Sequence, residues 1–109
     1  MTSLISTSLV DLALEAGDKD AATARLAELM RAQGRVTDLD VFLSDVRARE
    51  QQMPTGLEGG IGIPHARSDA VTEPTVAFGR STAGVDYGAA DGPAHLVFLI
   101  AAPAGAFAL

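Results

Sequence analysis

The sequence predicts an α/β domain in which helices cover a mixed β-sheet. Two stretches in the first half have apolar residues at helical spacing, two apolar runs in the second half resemble strands, and a glycine- and proline-rich segment separates them. The 109 residues fit one compact unit. We therefore expect the order strand, helix, helix, loop, strand, strand.

The first strand and the first helix are expected before residue 34. Leu9–Leu14 alternates between two sets of side chains, which suits a strand with one buried face. The helix is predicted over Asp18–Gln33, where Asp18 is a good N-cap and Gly34 follows the last turn.

A second helix is predicted over Thr37–Glu50. Thr37 and Asp40 resemble a capping box at its start, and an apolar stripe runs along it. Two strands are expected later, at Thr75–Gly79 and Ala94–Ala102. The second is almost continuously apolar, as in a strand covered on both faces.

Composition excludes several classes of function. The 8 Lys and Arg against 14 Asp and Glu give a net charge of -6, so nucleic acid is not an expected partner. The absence of cysteine excludes disulfides and thiolate chemistry. The N-terminus has no positive charge before Lys19, and the uncharged run Leu96–Leu109 is too short to span a bilayer, so we expect a cytoplasmic location.

The segment of residues 55–74 is where reactive chemistry is expected. His65 follows several glycines and Pro64, a setting in which backbone N–H groups can approach an anion, and Arg49 and Arg67 are near it in sequence. These residues suggest a phosphoryl site, but from loop composition alone an ordinary loop histidine bonded to a carbonyl is the more common case. His65 and His95 are too far apart in sequence to indicate a metal site, and His95 is interpreted as a strand-end residue without a role.

Residues 49–67, REQQMPTGLEGGIGIPHAR, resemble the active-site segment of the enzyme IIA domain of the bacterial sugar phosphotransferase system, fructose–mannitol type. The segments LISTSLVDLALEAGDKDAATARLAELM, VTDLDVFLSDVRARE and DGPAHLVFLIAAPAGA are also similar to that family, above all to its fructose-specific branch. The resemblance implies a mixed sheet flanked by helices. It also implies that residues 1–109 form one such domain, incomplete because the C-terminal helices are missing.

The resemblance assigns roles to individual residues. His65 matches the histidine that is phosphorylated on Nε2 by phosphorylated HPr and then passes the phosphoryl group to enzyme IIB. Arg49 matches the arginine near that histidine. Thr55 and the backbone of Gly60 and Ile61 are expected to contribute hydrogen bonds to the phosphoryl group.

The chain departs from the family pattern in three places. Glu58 stands where the family has glycine, Gly62 stands where alanine is frequent, and a second family histidine has no counterpart. No metal and no cofactor are implied.

The expected function is therefore that of a phosphotransferase, a phosphoryl carrier in sugar uptake, most similar to carriers for fructose. The membrane permease, enzyme IIC, would be an indirect partner, and the domain could be tethered to the inner membrane face through a fused permease. The alternative is a regulatory, nitrogen-type protein that signals through His65 phosphorylation without sugar transport.

Two structural expectations follow. A hydrogen bond from His65 Nδ1–H to a carbonyl would leave Nε2 as the nucleophile. If further helices are missing, apolar surface should be exposed around Phe98, Ile100 and Phe107.

Overall fold

The computed structural model describes residues 3–105, which form two helices packed on a six-stranded mixed sheet. After a 3₁₀ turn at Thr7–Leu9, the elements are β1 (Val10–Asp11), α1 (Lys19–Ala32), α2 (Leu39–Gln52), β2 (Gly56–Leu57), β3 (Ile61–Gly62), β4 (His65–Ser68), β5 (Thr75–Val85) and β6 (Ala94–Pro103). The predicted fold class is confirmed. No helix in this part of the chain is long and apolar enough to cross a membrane.

The antiparallel pair β5–β6 is the centre of the sheet. β1 lies parallel to β5 on one side, while β3 and β4 both lie parallel to β6 on its other edge, and β2 pairs antiparallel with β3. Strands β3 and β4 therefore lie one after the other along the same edge of β6. The pairing of β4 with β6 places His65 at this edge of the sheet.

The helices begin at aspartate caps. Asp18 Oδ1 accepts the Ala21 N–H at 2.8 Å, as predicted for α1. The predicted start of α2 is wrong by one residue, because Asp38 is the cap and its Oδ1 accepts the Val41 N–H at 3.2 Å. The Thr37 side chain does not cap α2, because its hydroxyl donates to the Ala70 carbonyl at 3.2 Å.

Three strand predictions need correction. Leu9–Leu14 contains only the two-residue β1, because a 3₁₀ turn precedes it. β5 continues to Val85, past the predicted end at Gly79, through an irregularity in register between Arg80 and Val85. The segment expected to be a loop contains the short strands β2, β3 and β4.

The two faces of the sheet differ in cover. Ala77, Val97 and Leu99 are fully buried on the face that both helices cover. On the other face Phe78 and Phe98 are half-buried with ring centroids 4.9 Å apart, and Ile100 is 40% exposed. The expected cover on both faces of β6 is therefore incomplete in residues 3–105. Exposure around Ile100 fits the expectation above, whereas Phe107 lies outside the described residues.

Candidate functional site

His65 opens β4 at the edge of the sheet, opposite Ile100 of β6. Its half-buried ring lies with Nδ1 2.8 Å from the Ile63 carbonyl oxygen. A carbonyl oxygen can only accept a hydrogen bond, so Nδ1 carries the hydrogen and, in the neutral ring, Nε2 keeps its lone pair. Both sequence interpretations of His65 are thus compatible with this geometry, in which the carbonyl bond leaves Nε2 as the nitrogen with a lone pair.

Helix α2 forms the wall beside this imidazole. Asp45, Ala48, Arg49 and Gln52 recur at the spacing of one helix face. They line a surface depression together with His65, Ala66 and Arg67. The structure therefore brings the predicted Arg49 to the same depression as His65, and adds the guanidinium of Arg67 and the carboxylate of Asp45.

The predicted phosphoryl ligand Thr55 is engaged elsewhere. Its side chain is buried, its hydroxyl donates to Glu50 Oε1 at 2.7 Å, and its N–H donates to Glu50 Oε2 at 3.0 Å. The only hydroxyl hydrogen is thus used on Glu50. A direct bond from Thr55 to a phosphoryl group stays a prediction that this geometry does not support.

Gly60 and Ile61 are not brought beside the imidazole. Ile61 lies opposite Leu96 and His65 opposite Ile100, so four residues separate them along one edge of β6. At about 3.3 Å per residue that is roughly 13 Å. The Gly60 carbonyl accepts the N–H groups of His95 and Leu96, which ties this turn to the beginning of β6. The expected role of both residues in phosphoryl binding likewise stays a prediction.

The sequence reasoning missed a buried polar cluster below the site. Glu50 is only 7% exposed, with Lys19 Nζ 4.0 Å from Oε2. The Tyr87 hydroxyl lies 2.9 Å from Thr23 Oγ1, and burial raises the pKa of Tyr87 to about 12. No local spacing signals this cluster, because its members come from α1, α2 and the segment after β5.

Two departures from the family pattern have different surroundings. Glu58 is exposed in the turn between β2 and β3. Gly62 is buried, and a Cβ there would lie 2.8 Å from Tyr87 Cδ2. Among residues 3–105, no three His, Asp or Glu side chains cluster in a way that would hold a metal ion.

Comparisons with known proteins identify the family. The profile of "Phosphoenolpyruvate-dependent sugar phosphotransferase system, EIIA 2" matches residues 3–107. The chain is 45% identical over 97 residues to the fructose-specific EIIA component of Haloferax volcanii, covering 88% of this chain and 63% of that protein. It is 39% identical over 107 residues to the fructose-specific EIIABC component of Bacillus subtilis, covering 97% of this chain and 17% of that protein.

Solved structures share the fold. The nitrogen regulatory protein IIA-Ntr of Neisseria meningitidis superposes with a TM-score of 0.84 at 30% identity, over 94% of this chain and 70% of that one. The enzyme IIA for mannitol of Escherichia coli, solved in complex with phosphorylated enzyme IIB, superposes with a TM-score of 0.78 at 25% identity, over 94% of this chain and 74% of that one. Because the family profile matches residues 3–107 of the 109, the chain belongs to the type 2 EIIA family of the phosphoenolpyruvate-dependent sugar phosphotransferase system.

Proposed function

We propose that this domain is the phosphoryl carrier of a fructose-type sugar phosphotransferase system, with His65 as the covalent intermediate. Phosphorylated HPr is the donor and the cysteine of an enzyme IIB domain is the acceptor. The observation that carries the proposal is the 2.8 Å bond between His65 Nδ1 and the Ile63 carbonyl, which leaves Nε2 as the nucleophile beside two arginines.

The proposed reaction is an in-line exchange. The Nε2 lone pair forms a bond to phosphorus while the bond between phosphorus and the donor nitrogen breaks, and the donor imidazole leaves with that electron pair. In the second step the thiolate sulfur of enzyme IIB takes the phosphoryl group, and the His65 ring regains its lone pair. The hydrogen on Nδ1 stays bonded to that nitrogen and donated to the Ile63 carbonyl throughout, so the ring is held in one orientation.

The charges around His65 support this chemistry. A phosphoryl group is strongly negative, and guanidinium groups bind its oxygens with charge-assisted hydrogen bonds. Arg49 and Arg67 both line the depression, and they come from different elements, α2 and β4. Asp45, one turn before Arg49 on α2, also lines the depression, so one carboxylate lies in the same depression as the two arginines.

Fructose as the transported sugar is supported by the names of the relatives, since the Haloferax and Bacillus proteins are both described as fructose-specific. The sugar itself would bind the permease, enzyme IIC, which is an indirect partner. We place the domain in the cytoplasm, free or tethered at the membrane by a fused permease, as the EIIABC composition of the Bacillus protein suggests.

A regulatory role is the second candidate. Its support is the likeness to IIA-Ntr of Neisseria meningitidis, with a TM-score of 0.84. The two candidates share the first step and differ in the second. A carrier passes the phosphoryl group to a fructose-type enzyme IIB, whereas a regulator keeps the phosphoryl group when it is mixed with that enzyme IIB.

Incubation with phosphorylated HPr, followed by intact mass spectrometry, tests the proposal. We expect one acid-labile phosphate on the wild-type chain and on His95→Gln, and none on His65→Gln. Addition of a fructose-type enzyme IIB should then remove the phosphate from the wild type. Phosphate retained in His65→Gln would contradict the assignment, and phosphate that enzyme IIB does not remove would favour the regulatory role.

A further inference from the structure

The Glu50 carboxylate is a buried charge that the proposed transfer does not use directly. Burying a carboxylate costs free energy unless its oxygens are hydrogen-bonded. Here both oxygens accept from one residue, Thr55, at 3.0 Å from the N–H and 2.7 Å from the hydroxyl. Glu50 stands in the last turn of α2, so this pair ties the end of that helix to the segment that follows it.

The hydrogen bonds continue from Thr55 to the imidazole. The Thr55 carbonyl accepts the Ile63 N–H at 3.2 Å, and the Ile63 carbonyl accepts the hydrogen of His65 Nδ1 at 2.8 Å. Thr55 is hydrogen-bonded to Glu50 and to Ile63, and Ile63 is hydrogen-bonded to Thr55 and to His65. A displacement of Thr55 therefore moves the carbonyl that selects the His65 tautomer.

The surrounding packing leaves this path little freedom. Gly56, next to Thr55, is so close to the Tyr87 backbone that a Cβ would lie 2.8 Å from its carbonyl oxygen. Pro64, next to His65, is fully buried and has a fixed φ. The position of Thr55 is therefore set on one side by Tyr87 and on the other by Glu50.

Glu50 also connects the two elements that line the depression, α2 and the strand that carries His65. Arg49 is the preceding residue on α2 and lines the depression with His65. Because Glu50 holds Thr55, the turn of helix that carries Arg49 and the strand that carries His65 are tied together by the same carboxylate. A loss of this tie would change both the ring orientation and its distance from the guanidinium.

We propose that Glu50 is a positioning residue for His65: through Thr55 and Ile63 it holds the imidazole in the tautomer with hydrogen on Nδ1 and a bare Nε2. The effect on transfer rests on the proposed function above, whereas the effect on the tautomer does not. At metal sites, partners that orient a ligating imidazole contribute about 10- to 100-fold to activity, and we expect an effect at the lower end of that range for Glu50.

The test compares Glu50→Gln with Glu58→Gln, an exposed glutamate in the turn between β2 and β3. A glutamine oxygen can accept one of the two Thr55 hydrogens, but its NH₂ faces the other donor, so the pair is broken. Long-range ¹H–¹⁵N spectra at about pH 9, where imidazoles are uncharged, report which nitrogen of His65 carries hydrogen. We expect the Nδ1–H tautomer in the wild type and in Glu58→Gln, and a mixture in Glu50→Gln with phosphoryl acceptance slowed about tenfold.

A second pair of variants keeps the test decisive if Glu50→Gln fails to fold. Thr55→Val removes only the hydroxyl bond and keeps the N–H bond, and Thr55→Ser restores the hydroxyl. We expect Thr55→Val to shift the tautomer population and Thr55→Ser to return it. Wild-type tautomer populations in Thr55→Val, or in a folded Glu50→Gln, would overturn the proposal. A shifted tautomer together with a wild-type chain that accepts no phosphate would refute the carrier function alone.

Discussion

The two histidines share one bonding pattern and differ in everything around it. His65 Nδ1 lies 2.8 Å from the Ile63 carbonyl, and His95 Nδ1 lies 2.9 Å from the Ser81 carbonyl. By the same argument, both rings carry hydrogen on Nδ1 and a bare Nε2 when neutral. The carbonyl bond alone therefore does not distinguish a phosphoryl site from a satisfied strand-end histidine.

The difference lies in the neighbours. His65 shares a depression with Arg49 and Arg67. His95 is exposed, and its ring lies beside the backbone of Gly84, where an added Cβ would be 3.1 Å from the ring Cε1. The turn beside His95 is held by a carboxylate, because Asp91 Oδ2 accepts the Gly59 N–H at 2.9 Å. Guanidinium groups bind phosphoryl oxygens, so this difference supports His65 rather than His95 as the proposed phosphoryl site.

The largest expected effect comes from removing the cation on α2. Arg49→Gln should slow transfer to enzyme IIB by about 100-fold, because a group aimed at transferring charge is lost. Its unfolding free energy should change by only about 0.5 kcal/mol. Stopped-flow or quench-flow transfer kinetics, with thermal unfolding beside them, measure both quantities.

The control is Arg47→Gln on the same helix. Arg47 is exposed and 3.9 Å from Asp20, outside the depression. It should transfer like the wild type. If the Arg49 variant melts far below the wild type while its folded fraction transfers normally, the role of Arg49 is structural and the comparison between the histidines fails.

A smaller effect is expected from the packing of β3, the strand that precedes β4 and His65. Gly62→Ala would place a Cβ 2.8 Å from the Tyr87 ring, and overpacking of this kind typically costs about 1–3 kcal/mol. Gly17→Ala is the matched control, since no heavy atom lies within 4 Å of the added Cβ. Urea unfolding should separate the two variants clearly. Equal stability would show that Tyr87 does not constrain this strand.

The smallest effect concerns the Tyr87 hydroxyl itself. Burial raises its pKa to about 12, above the value of 10.0 expected in the unfolded chain. The folded state therefore keeps this proton to higher pH, and the stability it contributes is complete below about pH 10 and declines as the pH rises towards 12. Tyr87→Phe should lack that decline and cost about 1 kcal/mol at neutral pH.

The chain has one tyrosine and no tryptophan, so phenolate absorbance follows Tyr87 alone. A titration midpoint near 10 in the folded protein would show that the ring is not buried as described.

Sequence reasoning succeeded where the signal was local. The first helix was bounded correctly because Asp18 caps its own helix, three residues from its partner Ala21. The predicted N-cap of the second helix was wrong, because the Thr37 hydroxyl donates to the carbonyl of Ala70, which is distant in sequence. The strands β2, β3 and β4 were missed because two to four residues hold no periodicity, and the residues of β3 and β4 pair with residues of β6 that lie 35 positions later.

The same division applies to the site. The motif around His65 and Arg49 indicated the chemistry through family resemblance. The hydrogen bond from Thr55 to Glu50 depends on how the end of α2 packs near the buried Tyr87, and no residue spacing in the sequence predicts that packing. Gly60 and Ile61 were expected to bind the phosphoryl group because they match the family motif. Their separation of about 13 Å from His65 along β6 follows from the strand register, which the motif does not contain.

The central claim is that the Ile63 carbonyl directs the phosphoryl group to Nε2 of His65. It is tested most directly by ¹H–¹⁵N and ³¹P spectra of the uniformly ¹⁵N-labelled chain after incubation with phosphorylated HPr. We expect a single phosphohistidine at His65, with phosphorus bonded to Nε2 and hydrogen retained on Nδ1. Phosphorus on Nδ1 of His65, or on either nitrogen of His95, would contradict the account.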